Sequence, residues 1–306
     1  MKILILGAGA VGGYFGGRLI EKGEDVTFLV REKRQQQLRE HGLNIKSPHG
    51  DFSIRPKTIV ATDDDEPFDV VILATKAYHL NGGLRSIEPF VREYTMILPL
   101  LNGMEHMEEL RGFFSPEQVL GGLCFVESTL DEKGTILQSS DKHDLVFGEW
   151  NGKKTERVEK LEAVFSGTKA GFRLSENIQQ DMWHKYLFIS TLAGITSLMR
   201  SPIGPIRDTM EGRTYIQQLF EEIRLTMEEY GAPLTDGIVE KQMEVIEGLA
   251  PTTKSSMLRD IEKQGLIESE HLHGYLLLLA ERFGVETPLL RLVYQHLKVY
   301  EKNLGQ

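Results

Sequence analysis

Lys185 lies in Met182-Trp-His-Lys185-Tyr-Leu-Phe-Ile189, beside Trp183, Leu187 and Phe188 on a long and largely apolar stretch of helical periodicity. An ammonium in that company either extends its stem to water or sits desolvated. Spacing alone favours the first; the second would move its pKa toward neutrality and make it a competent proton donor. Two more polar side chains follow directly on apolar, strand-like runs: Lys76 in Ala74-Thr-Lys76-Ala-Tyr78 and Asn102 in Leu100-Leu-Asn102-Gly-Met104. The carboxyl ends of such strands are where open α/β sheets bind ligands. Farther on, Glu268, Glu270, His271 and His273 cluster in Ile267-Glu-Ser-Glu-His-Leu-His-Gly274. The Glu268 carboxylate suits a hydrogen-bond acceptor for a ligand as well as it suits an exposed helix start. Two histidines two positions apart on a helix diverge by roughly 200°, so no shared metal is expected. Ser255-Ser256, ahead of Met257-Leu-Arg-Asp260, fits either an ordinary cap or a ligand contact.

The elements that must position these groups begin at the first residues. Met1-Lys-Ile-Leu-Ile-Leu6 is a short apolar run, Gly7-Ala-Gly9-Ala-Val-Gly12 follows at once, and Ala10 to Lys22 is helix-compatible. In that order each glycine has a mechanical role. Gly7 permits the tight turn, Gly9 the close approach of a pyrophosphate, and Gly12 the packing of helix on strand. Gly7, Ala8, Gly9, Ala10, Val11 and Gly12 thus form a dinucleotide phosphate loop, with free N–H groups of the helix start turned to the phosphates. The second strand reads Asp25-Val-Thr-Phe-Leu-Val30 and ends at Arg31. An acidic residue roughly 20 residues past the glycines accepts from the ribose 2′-OH of NAD. Arg31 occupies that slot, with Lys33 and Arg34 behind it, and a guanidinium suits a 2′-phosphate instead. NADP is therefore expected over NAD. Glu32 would be the ribose acceptor if the register were one residue off, and a solvated helix start explains the basic run equally simply.

The 306-residue chain is long enough for two domains. Its formal net charge of −10 argues against nucleic acid or an anionic membrane surface as partner. A single cysteine, Cys124, excludes an internal disulfide and a cysteine-cluster metal site. Its setting, Gly122-Leu-Cys-Phe-Val126, reads as a buried strand. The opening residues are already a strand with no signal pattern before them, and no apolar run reaches membrane length, so a cytoplasmic location is expected.

Strand and helix patterns alternate through the first half. Leu43–Ile45 and Phe52–Ile59 read as extended, Phe68–Thr75 and Thr95–Leu101 as strands buried on both faces, Leu84–Glu93 as a helix. Val119–Ser128, Gly134–Gln138 and Leu145–Phe147 add further strand-like runs. The alternation predicts a doubly wound, Rossmann-type sheet. From about residue 177 the texture is helical: Asn177–Arg200, Thr209–Tyr230, Ile238–Glu247, Glu268–Phe283 and Thr287–Asn303, with Gly231 and Gly284 as stop signals. The expected organisation is an α/β nucleotide-binding domain at 1–172 and an all-helical domain at 173–306. The helical half would support a homodimer, although no stretch specifies one.

Taken together, these segments resemble the ketopantoate reductase (2-dehydropantoate 2-reductase) family over essentially the whole chain. The resemblance is carried by the opening fingerprint, Thr75-Lys76-Ala77, Asn102-Gly103-Met104, Trp183-x-Lys185, Ser255-Ser-Met-Leu-Arg-Asp260 and Glu268 to Gly274. It implies NADPH-dependent reduction of 2-dehydropantoate to (R)-pantoate for pantothenate synthesis. It further implies Lys185 as the general acid, Glu268 as acceptor for the substrate hydroxyl, and Ser256 on the substrate carboxylate. Asn102 would position nicotinamide or substrate, Lys76 would approach the cofactor, and Arg31 would bind the 2′-phosphate. The chain departs from the family at Ile189 and Ala193, where asparagines usually lie four and eight residues beyond the lysine. It departs again at Glu270-His-Leu-His-Gly274, where Asp-Tyr-x-Asn-Gly is usual. Each lost amide costs about 1–3 kcal/mol if its partner goes unpaired. Either His273 or another group compensates, or the substrate is a different, more apolar 2-keto acid. A rival of another class is an NADP(H)-binding sensor without turnover, against which the presence of both Lys185 and Glu268 argues.

Overall fold

The computed structural model describes Met1 to Gly305, in two compact units. Met1–Leu101 and His106–Ile178 form the first; Asn102–Glu105 and the chain from Gln179 form the second. The chain runs β1 (Lys2–Leu6), α1 (Ala10–Lys22), β2 (Asp25–Leu29), α2 (Glu32–His41), β3 (Leu43–Lys46), β4 (Phe52–Ile54), β5 (Lys57–Ile59), β6 (Val70–Leu73), α3 (Leu80–Ile87), β7 (Met96–Pro99), α4 (Glu105–Phe113), β8 (Gly121–Leu130), β9 (Ile136–Gly148), α5 (Glu156–Phe165) and β10 (Gly171–Leu174).

Five strands build a sheet in the order β5-β2-β1-β6-β7, and every pairing in it is parallel. This is the arrangement that the strand–helix alternation predicts, because parallel neighbours need a crossover and helices serve as crossovers. From Ile3 onward β1, and all of β6 and β7, are apolar and buried on both faces. Tyr14, Phe15 and Leu19 of α1 join Ile3, Ile5 and Phe28 in one fully buried core. Burying each such side chain contributes about 1.5–3 kcal/mol.

The remaining strands do not extend this sheet. They form a second one in the order β10-β9-β3-β4, with β8 antiparallel to β9 and a bulge between Val126 and Ser128. The runs Gly134–Gln138 and Leu145–Phe147, separate by sequence pattern, are one long strand. The cause is local. Asp131 Oδ1 accepts from the N–H groups of Lys133 and Thr135, closing a tight turn that makes β8–β9 a hairpin. Phe52–Ile59, expected as one segment, divides at Arg55-Pro56 between the two sheets, since proline offers no N–H to a ladder. The predicted helix at Leu84–Glu93 begins earlier, at Leu80, and gives way at Ile87 to a single 3₁₀ turn holding Pro89. β10 pairs in parallel with β9, and the first compact unit runs to Ile178.

The helical part comprises α6 (Ile178–Met199), α7 (Ile203–Arg207), α8 (Gly212–Tyr230), α9 (Ile238–Gly248), α10 (Ser256–Glu262), α11 (Tyr275–Phe283) and α12 (Pro288–Leu304). Gly231 and Gly284 end α8 and α11 in left-handed conformation, as their stop signals predict. α12 starts with Pro288 in its first turn, and Glu222 of α8 accepts from the N–H groups of Leu289 and Leu290. The short α7 and α10 have too few turns for periodicity to reveal. The expected helix from Glu268 is interrupted: Glu268 is non-helical, and Glu270–Gly274 forms a π turn that leads into α11. Such turns are rare and concentrate at functional sites.

Candidate active site

In the first unit, β1 lies between β2 and β6, and the chain leaves it through Gly7. Gly7 has φ +98°, which only glycine adopts without strain, and its N–H donates to Leu29 O at 3.1 Å. Gly9 caps α1 in extended conformation, and the helix's first internal bond runs from Gly13 N to Gly9 O. The N–H groups of Ala10, Val11 and Gly12 therefore have no intrahelical partner, and no acidic residue in the first turn competes for them. A Cβ on Gly9 would meet nothing within 4 Å, whereas one on Gly12 would lie 2.2 Å from Gly7 O. The loop is thus open above Gly9 and closed below Gly12, which fits a pyrophosphate bound on the helix start.

The basic residues after β2 divide by role. Arg31 is exposed at the N-cap of α2. Arg34 turns inward: Nε and Nη2 donate to Ala8 O at 3.1 and 2.9 Å, and Nη1 to Gln37 Oε1 at 2.6 Å. Burial lowers its pKa from the ordinary arginine value. Arg34 is therefore a strut under the glycine loop, although its place in the basic run groups it with solvated residues. Lys76 caps the 3₁₀ turn Ala77–His79 beyond β6, and His79 packs edge-on to the exposed Tyr78. Partial burial, and then the Arg31 cation, hold the His79 imidazole below its ordinary range, so Arg31 and this turn share one electrostatic neighbourhood.

The other expected site residues, Asn102, Lys185, Ser256 and Glu268, all belong to the second unit. Lys185 is only 8% exposed, on a stretch of helix that also carries the buried Trp183, Tyr186 and Leu187. The next residue, Tyr186, donates its hydroxyl to Leu272 O at 2.6 Å. Leu272 N–H in turn bonds to Glu268 O at 3.0 Å. His271 Nε2 meets Asn102 O at 2.7 Å, and its Nδ1 meets Glu105 Oε2 at 3.1 Å. Three segments carrying expected site residues are thereby fastened to one π turn. Of the serine pair, Ser255 is the cap: it is buried, accepts from Leu258 N–H at 3.1 Å and pairs with Thr196 Oγ1 at 2.8 Å. Ser256 is exposed at the start of α10, where it can face a ligand.

The groups considered as substitutes for the missing asparagines are committed elsewhere. Glu270 binds Tyr294 Oη at 2.7 Å and Lys298 Nζ at 2.5 Å. His273 is wholly buried and uses Nε2 on Ser190 O at 2.9 Å, leaving Nδ1 without a partner. At the departure positions Ala193 is buried and Ile189 partly so.

Burial pushes the His273 pKa from 6.5 down to about 4. Between those values the unfolded chain binds a proton that the folded chain refuses. Its stabilising contribution is therefore complete above pH 6.5 and is lost as the pH falls toward 4. The amount at stake is on the order of 3 kcal/mol. Urea midpoints followed from about pH 7 to about pH 4.5 should fall more steeply for the wild type than for His273→Asn. Parallel slopes would remove His273 as the cause.

Among the described residues no cluster of three or more His, Cys, Asp or Glu side chains could hold a metal, and no helix is long and apolar enough to cross a membrane. Sequence reasoning missed Arg34, Tyr186 and His271. Only His271 left a signal, as one of two histidines in the polar cluster Glu268 to His273.

A parallel sheet with this glycine loop, followed by a helical unit with a buried lysine, defines an α/β oxidoreductase of the dinucleotide-binding class. Residues 3–152 match the model for "Ketopantoate reductase PanE/ApbA", and residues 177–301 match that for its C-terminal part. The chain belongs to the ketopantoate reductase family. It is 48% identical to a Bacillus subtilis (strain 168) protein known as uncharacterized oxidoreductase YkpB, over 98% of this chain and 99% of the relative. A crystal structure of 2-dehydropantoate 2-reductase from Geobacter metallireducens GS-15 superposes with TM-score 0.89 at 27% identity, covering 98% of this chain and 99% of the other. The same fold recurs, with TM-score 0.90 at 22% identity and complete coverage of both chains, in a D-mandelate dehydrogenase solved with NADH and anilino(oxo)acetate.

Proposed function

We propose that this protein reduces the ketone of a 2-keto acid with NADPH, and that 2-dehydropantoate, giving (R)-pantoate, is its substrate. The reading rests above all on the buried Lys185 and on the bonds that fasten its helix and the Glu268 segment to the same turn. NADPH supplies the hydride when bound. The open space above Gly9 and the unpartnered N–H groups of α1 would hold its pyrophosphate, with Arg31 on the 2′-phosphate and Lys76 near the cofactor. As the carbonyl carbon gains hydride, negative charge grows on its oxygen; the Lys185 ammonium stabilises that charge and then gives up its proton. Glu268 accepts from the substrate hydroxyl, Ser256 holds the carboxylate, and Asn102 orients the reacting groups.

A second reading, a more apolar 2-keto acid, is favoured by Ile189 and Ala193 and by the commitments of Glu270 and His273. NADPH consumption with 2-dehydropantoate beside a panel of aliphatic and aromatic 2-keto acids separates the two. Preference for 2-dehydropantoate supports the first, preference for a plain apolar keto acid the second. Silence across the panel with NADPH still bound would return the protein to the sensor class.

Cofactor choice has its own test. Arg31→Ala should weaken NADPH binding by roughly 10- to 100-fold, the worth of a charge-assisted bond, and leave NADH binding unchanged. Fluorescence titration of both nucleotides reads this directly. Equal losses for the two would assign Arg31 no role at the 2′-phosphate.

A further inference from the structure

His271 takes no part in the chemistry proposed above, yet its ring is fully engaged. It is 5% exposed, with Nε2 2.7 Å from Asn102 O and Nδ1 3.1 Å from Glu105 Oε2. A carbonyl oxygen only accepts, so Nε2 carries a proton. A carboxylate also only accepts, so Nδ1 carries one as well. The loop is moulded on the ring: Gly103 has φ +84°, and a Cβ there would lie 3.1 Å from both Cδ2 and Nε2 of His271. One residue farther, Leu272 bonds through its N–H to Glu268 O and through its carbonyl to Tyr186, the neighbour of Lys185.

We infer that His271 is a positioning residue: a ring protonated on both nitrogens that holds the Asn102 backbone, and with it the Asn102 amide, in register with the turn behind Glu268. Its bearing on turnover rests on the reading of Asn102, Glu268 and Lys185 as site residues; its protonation does not. Glu105 is the carboxylate partner that makes the second proton useful. Neutral amides or carbonyls at both ends would leave one nitrogen bare or repelled.

The test uses the full-length chain labelled with ¹⁵N-histidine, and assigns the His271 ring signals by their loss in His271→Phe. In the wild type at neutral pH both nitrogens should resonate as protonated. In Glu105→Gln the ring should revert to a neutral tautomer that keeps its proton on Nε2. With the best keto acid, His271→Phe should lower kcat by roughly 10- to 100-fold, as a small misplacement of a reacting group does. The keto acid KM and the NADPH Kd should stay within about threefold, since uniform binding is untouched. A bare ring nitrogen in the wild type overturns the inference. So does a His271→Phe variant that loses thermal stability but keeps kcat. If the wild type turns over no keto acid, the functional reading falls, and the ring signals in wild type and Glu105→Gln alone decide the role of His271 as a doubly protonated clamp. That arm also decides it if His271→Phe does not fold.

Discussion

Lys185→Ala should lower turnover by about 10²- to 10⁴-fold, the usual worth of a positioned proton donor, while NADPH binding stays within a factor of about three. The phosphate loop and Arg31 lie on the first unit's own elements, α1 and the N-cap of α2. Lys185→Arg should rescue little. A guanidinium keeps the charge but surrenders no proton at working pH. Steady-state rates with a nucleotide titration separate the cases. A Lys185→Ala enzyme with wild-type kcat would remove the lysine from the chemistry, whatever the substrate.

Two alanines in the glycine loop should fail in opposite ways. Gly12→Ala places a methyl 2.2 Å from the Gly7 carbonyl oxygen and 2.8 Å from Ala74 Cβ. The first contact is with backbone and cannot rotate away, so the strand–helix junction must shift, at about 3 kcal/mol or more. Gly9→Ala has an ordinary negative φ and nothing within 4 Å of the new methyl, so stability should change by no more than about 0.5 kcal/mol. Its methyl instead enters the space through which a pyrophosphate reaches the backbone. NADPH affinity should fall by roughly 100-fold in a protein that melts like the wild type. Thermal denaturation beside NADPH titration distinguishes the pair. A Gly9→Ala protein that binds normally would relocate the phosphates.

Much of this architecture is legible in the sequence because it is written in contiguous stretches. The β1–glycine–α1 unit, the buried runs of β6 and β7 and the long helices α6, α8 and α12 each declare themselves by local periodicity. The second sheet does not. β3 and β9 pair across a separation of about ninety residues, and the choice between extending one sheet and starting another is made by tertiary contacts. Arg34 illustrates the same limit at the scale of one side chain. In sequence it closes an exposed basic run, and only the return of the glycine loop supplies the Ala8 carbonyl that draws it in. Lys185 lies between. Its apolar neighbours are visible, but whether it reaches water depends on how the rest of the unit packs around α6. The π turn leaves no trace in the pattern, because widening a helix by one residue at Glu270–Gly274 does not depend on a particular residue type.

That turn makes the position of one carboxylate sensitive to chain length rather than to residue type. A π turn carries an extra residue compared with an α turn, and each residue of helix rotates the chain by roughly 100°. Deleting one residue within Glu270–Gly274 would let α11 continue backward as a regular helix, its own packing undisturbed, while Glu268 swung to another azimuth. If Glu268 anchors substrate as proposed, the segment is a hinge in sequence space: one residue gained or lost there would turn its carboxylate while leaving the scaffold on either side as it was.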